Sequence, residues 1–201
     1  MPPVVGSSRC STKAIRLRLP SVHDTLTLQM KKTAPPRVDD VLGLLKPSMF
    51  RIWQHAALGK PIRSAADFAH AIGVELDRIA KTIVVGLRGW PPERRMAEPV
   101  GAYAAVCLPS PRKINLSAVA QTFGWLACEL ATTAELEKLL GVSPGGVSPL
   151  GLGQIPLIVD ESLFSYGTML VGGGAVGVDI ELDPRDLVRV TNAKAASISI
   201  D

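Results

Sequence analysis

Lys81 interrupts the apolar run Ile79-Ala-Lys-Thr-Ile-Val-Val85, and on a β-strand it would share a face with Ile79 and Ile83, both candidates for burial. An ammonium in that setting either snorkels to the rim or lines a cavity. Two glycine-rich stretches offer backbone donors instead of side chains. Gly145-Gly-Val-Ser-Pro149 can turn several consecutive N–H groups towards a carbonyl or phosphate oxygen, with a plain loop between helix and strand as the competing reading. Gly172, Gly174 and Gly177 have the spacing of the dinucleotide fingerprint, yet Val178-Asp-Ile-Glu-Leu182 follows and alternates as a strand does. That fingerprint requires a helix whose N-terminus holds the pyrophosphate, so a glycine-rich hairpin is expected. Gly141-Val-Ser-Pro-Gly145 has the spacing of a serine nucleophile elbow, but Pro144 lacks the N–H the oxyanion needs, and a helix pattern precedes it. The 3 cysteines (Cys10, Cys107, Cys128) and 3 histidines (His23, His55, His70) form no zinc-type cluster, so neither metal nor other cofactor is expected.

The elements that must carry these residues alternate between helix and strand signals from Val38 onward. Val41, Leu42, Leu44 and Leu45 suggest a short helix that Pro47 stops, and Phe50 to Trp53 a strand. Ser64-Ala-Ala-Asp67 opens a helix to about His70, with Gly73 beyond it. Ile79–Leu87 is expected as a buried strand, Gly89–Pro99 as a Pro/Arg loop, and Tyr103–Leu108 as the partner strand. Asn115 caps a helix over Leu116–Phe123, and Thr132-Thr-Ala-Glu135 opens another that Gly141 closes. Strand signals return at Ile155–Val159, Thr168–Val171 and Val178–Leu182, and Asp183-Pro184 starts a last helix through Val190. This is one mixed domain with too many strands for a doubly wound sheet.

The 201 residues carry a net +4 and nearly half are hydrophobic, which excludes a wholly disordered chain. The charge is unevenly spread. Residues 1–37 hold seven bases and one acid, leaving 15 bases and 17 acids, −2, for residues 38–201. The acid-poor segment 1–37, punctuated by five prolines, is expected to be a flexible extension or a misassigned start with Met30 as the true one. A transit peptide and a basic arm that touches RNA phosphates are the sharper alternatives. The uncharged stretch Leu139–Val159 contains Pro144, Pro149 and Pro156, so no lipid-embedded helix is expected. An odd cysteine count without CxxC pairs and the lack of a leader-type series suggest a soluble, cytoplasmic protein, with organellar import through the extension left open.

Taken together, Lys81-Thr-Ile-Val-Val85, Ile114-Asn-Leu-Ser-Ala-Val-Ala120, Gly145-Gly-Val-Ser-Pro-Leu-Gly151, Pro156-Leu-Ile-Val-Asp160 and Gly172-Gly-Gly-x-x-Gly-Val-Asp-Ile-Glu181 resemble the YbaK/prolyl-tRNA-synthetase-associated editing domain family. The resemblance covers Val38 to Ile200. It implies an α+β fold, a largely antiparallel mixed sheet curled towards a barrel with flanking helices. It also implies a trans-acting aminoacyl-tRNA deacylase in translation quality control, with tRNA(Pro) the expected substrate carrier and a synthetase a further partner. Carried over, Lys81 matches the lysine that positions the terminal adenosine, and Gly145 and Pro149 the ends of the loop that cradles the aminoacyl ester. Gly146, Val147 and Ser148 would supply N–H groups to the carbonyl. Asp179 matches a pocket-lining aspartate, and His55 falls where many relatives carry a histidine at a strand exit. Trp53 stands where the Cys-tRNA(Pro) branch has tyrosine, Gly172 (followed by Gly173) where it has serine, and Thr82 where the alanine-specific branch has asparagine. These departures motivate the alternative of a non-catalytic member that binds tRNA or a synthetase. No membrane association is expected.

Overall fold

The computed structural model describes residues 37–201. The expectations for the segment before Arg37, and for Cys10 and His23 within it, lie outside the described residues. In chain order the elements are α1 (Val38–Leu42), β1 (Phe50–Gln54), α2 (Ala65–Ile72), β2 (Ala80–Leu87), α3 (Pro92–Ala97), β3 (Tyr103–Pro109), β4 (Lys113–Ile114) and α4 (Leu116–Phe123). They continue as β5 (Cys128–Leu130), α5 (Thr133–Leu140), β6 (Leu157–Asp160), β7 (Met169–Gly172), β8 (Val178–Leu182), α6 (Pro184–Thr191), β9 (Lys194–Ala196) and β10 (Ser199–Ile200).

A five-stranded sheet runs β5-β2-β3-β6-β9, antiparallel through β5, β2 and β3 and parallel from β3 through β6 to β9. A three-stranded antiparallel sheet runs β1-β8-β7. A parallel bridge from Ile79 to Leu170 joins the two at the start of β2, so the surface turns a corner there. Both sheets enclose one core that gathers Ala80 and Val84 of β2, Cys107 of β3, Val159 of β6, Met169 and Val171 of β7, and Ile180 and Leu182 of β8. On the opposite face of the larger sheet, α4 packs Val119 and Ala120 against Val85, Val106, Leu108 and Ile158. The α+β fold with a largely antiparallel mixed sheet is therefore present as expected. The two free thiols among the described residues, Cys107 in β3 and Cys128 in edge strand β5, are buried.

Most helix boundaries follow their capping residues. Ser64, Asn115 and Thr132 accept the N–H of Asp67, Ala118 and Glu135, and Gly73, Gly124 and Gly141 end the helices in the left-handed conformation. One expectation is overturned: Gly89–Pro99 is not a loop throughout, because α3 occupies its centre. Pro92 sits in the first turn, where a missing N–H costs nothing, and the Glu-Arg-Arg-Met-Ala run that follows is a good helix former. This helix buries Arg95, whose guanidinium donates to Glu135 at 2.8–3.0 Å, to Glu129 at 2.7 Å and to the Leu87 and Trp90 carbonyls. Tyr103 donates its hydroxyl to the same Glu135 oxygen at 2.6 Å. Arg95 is thus a core ion-pair residue.

Candidate active site

Strand register places three of the expected residues along one line. Trp53 pairs with Asp179 across β1 and β8, and Asp179 pairs with Gly172 across β8 and β7. Directly paired residues share a face. Two residues beyond the Ile79–Leu170 bridge, along both chains, stand Lys81 and Gly172. The row Gly172–Asp179–Trp53 therefore lies on the face away from the shared core, and Lys81 stands on β2 just past the bridge that joins the two sheets.

His55 follows β1 directly and turns back onto this row. Its N–H donates to the Gly177 carbonyl at 2.9 Å, which ties the β7–β8 hairpin to the exit of β1. Its Nε2 lies 2.7 Å from Asp179 Oδ2, and its ring packs 4.6 Å from that of Phe68. Burial pushes the Asp179 carboxyl above its ordinary value of 3.8, with the His55 hydrogen bond opposing that shift. Trp53 is held from several sides. Its Nε1–H donates to Glu181 at 3.0 Å, Phe68 meets it edge to face, and the Arg51 guanidinium lies 3.8 Å from its ring centroid. Glu181 also accepts from Arg78 at 2.9 Å and from Thr168 at 2.7 Å.

The loop Gly145–Pro149 reaches the row at Gly172. A Cβ on Gly172 would come within 3.1 Å of the Val147 carbonyl, so the loop rests against the bare backbone there. Gly145 takes a left-handed conformation, φ +90°, which turns the loop inward, and Gly146 through Pro149 are buried. The Gly146 N–H donates to the Ser143 carbonyl at 2.9 Å, so it is not available to a substrate carbonyl in this geometry. The N–H groups of Val147 and Ser148 make no hydrogen bond among the described residues. A cavity of about 350 Å³ opens beside them, lined by Gly146, Ser148, Gly173, Gly174 and the start of α1.

Lys81 is half-buried, and its ammonium donates to the carbonyls of Ser110 and Arg112 at 2.9 and 2.5 Å. Burial lowers its pKa from the ordinary 10.5. It therefore sits at the rim, tied to the turn after β3. No cluster of three metal-type side chains occurs among the described residues, and no helix there is long and apolar enough to cross a membrane. Sequence reasoning gave no role to Glu181, Arg78, Thr168, Phe68 or Arg51. Only Glu181 left a signal, since it stands two residues from Asp179 on an alternating strand.

Comparison with known proteins bears on the family and the fold. Residues 59–190 match the aminoacyl-tRNA editing domain. An Enterococcus faecalis protein, provisionally named Cys-tRNA(Pro)/Cys-tRNA(Cys) deacylase EbsC, is 30% identical over 137 residues, 68% of this chain and 77% of that one. A proline–tRNA ligase from a Sulfurihydrogenibium species is 29% identical over 111 residues, 55% of this chain but only 17% of the ligase. Among solved structures, one provisionally described as a trans-editing enzyme for prolyl-tRNA synthetase superposes with a TM-score of 0.66 at 22% identity, covering 82% of this chain and 96% of that one. A hypothetical protein superposes at 0.67 with 28% identity, covering 82% and 100%.

Proposed function

Because the chain belongs to the aminoacyl-tRNA editing domain family, we propose that it is a trans-acting deacylase that hydrolyses the ester of a mischarged tRNA, with tRNA(Pro) the carrier. The observation that carries the reading is the meeting of the Gly172–Asp179–Trp53 row, at Gly172, with the 145–149 loop, whose Val147 and Ser148 N–H groups make no hydrogen bond among the described residues. Water adds to the ester carbonyl, the ribose oxygen leaves with a proton, and the products are a free amino acid and uncharged tRNA. The ester is already activated, so no strong protein nucleophile is required. Val147 and Ser148 receive the oxyanion, and one such donor is worth about 3–4 kcal/mol of barrier. Gly145, Gly146 and Pro149 shape the loop that presents them. Lys81 keeps one of its three N–H donors for the ribose or its phosphate. Asp179 and His55 form the polar wall, with Trp53, Gly172 and Gly173 as its borders. The editing domain is residues 38–201, and residues 1–37 are an extension to it.

A panel of Ala-, Cys- and Ser-tRNA(Pro) tests the proposal. At least one should be deacylated, and Lys81→Ala should reduce that turnover at least a hundredfold with unchanged circular dichroism. If no charged tRNA is turned over in a Lys81-dependent manner while tRNA still binds tightly, the protein is a non-catalytic binder instead.

A further inference from the structure

We infer that Arg51 is a substrate-binding residue that takes a phosphate of the tRNA acceptor end, an inference that rests on the deacylase reading. Three cations border the site row, and two are already engaged. Lys81 gives two donors to the Ser110 and Arg112 carbonyls. Arg78 is held by Glu181, the Thr168 hydroxyl and the Thr168 carbonyl. Arg51 is exposed and forms neither an ion pair nor a side-chain hydrogen bond among the described residues, although Glu181 is its register partner on β8. Its guanidinium folds back over Trp53 instead, 3.8 Å from the ring centroid, towards the residue that pairs with Asp179.

Stacking engages the flat face of a guanidinium and leaves the N–H edge open. That edge matches two phosphate oxygens, and the platform beneath it limits the freedom lost on binding. The platform is itself fixed by Glu181 and Phe68, so the cation is placed with little play. A domain whose residues 38–201 sum to −2 has no general field to attract RNA, which makes a placed cation beside the site consequential.

The test measures deacylation kinetics and equilibrium binding of uncharged tRNA(Pro) across a salt series, for wild type, Arg51→Gln and Arg51→Lys. Arg51→Gln should raise KM and Kd about tenfold, change kcat less than about twofold, and flatten the salt dependence of log Kd by about one counterion. Arg51→Lys should restore the salt slope and only part of the affinity. An unchanged Kd and slope, a loss confined to kcat, or weaker binding with the wild-type slope would each overturn the inference. The last two would mean that Arg51 only steadies Trp53. If the wild type deacylates nothing, the deacylase reading fails, while the uncharged-tRNA measurement still decides on Arg51.

Discussion

Asp179 is held above 3.8 by burial, so the fold prefers its protonated form. Such a group stabilises below the unfolded pKa and loses that contribution as pH rises through the folded value. Wherever the carboxylate is ionised it is therefore a liability for stability that the His55 contact only partly offsets. Asp179→Asn should leave Tm at pH 7 unchanged or higher by calorimetry, yet lower kcat/KM at least tenfold, separating function from folding. The acid limb of the wild-type kcat/KM profile should fall at a pH above the ordinary carboxylate range and vanish in the variant. Gly172→Ser places a Cβ within 3.1 Å of the Val147 carbonyl. The loop must give by a few tenths of an ångström, and kcat should drop several-fold with its N–H groups displaced. At this scale strand alternation marked Lys81, whereas Gly172, Asp179 and Trp53 were marked by what the family resemblance implies. The pairing of the Gly146 N–H with Ser143 and of Lys81 with two carbonyls left no such trace, because both depend on how a turn folds back.

Among the elements, α3, β3 and α5 are joined through Arg95, Glu135 and Tyr103. Burial opposes ionisation of Glu135, but hydrogen bonds from Tyr103, the Thr132 N–H and Arg95 outweigh it and hold the carboxyl at about 2. Burial and the bond to Glu135 push the Tyr103 phenol up to about 12. A depressed carboxylate stabilises above its unfolded value of 4.5, and that contribution is lost as pH falls through 2. Urea titrations between those limits should show stability falling in the wild type and flattened in Glu135→Gln. Glu135→Ala should cost about 3–5 kcal/mol at pH 7, since it leaves a buried guanidinium short of its partner. Gly86 faces the same group: a Cβ there would meet Arg95 Nε at 2.9 Å, and Gly86→Ala should cost about 1–3 kcal/mol by the same measurement. Proline density hid α3, although proline in a first turn and a run of good helix formers were both readable. The two- and three-residue strands β4, β5, β9 and β10 are too short to show a period, and only their partners define them.

On the scale of the whole molecule, the basic charge belongs to residues 1–37, and residues 38–201 carry −2. Residues 37–201, starting at the cap of α1, should fold alone with the kcat of the full chain and weaker salt-sensitive affinity for tRNA. The buried cysteines extend this to motion. Only a thiolate reacts with an alkylating agent, and burial holds the Cys107 thiol up at about 12 in the central strand of the five-stranded sheet, and raises Cys128 in the edge strand. Both thiols are buried in the native sheet, so a label they acquire records a moment when the sheet had parted. Cys128 should be labelled first and Cys107 only at the rate of global unfolding, each resolved by peptide mass. The fold thus carries its own pair of clocks, one timing the fraying of its margin and the other the loss of its centre.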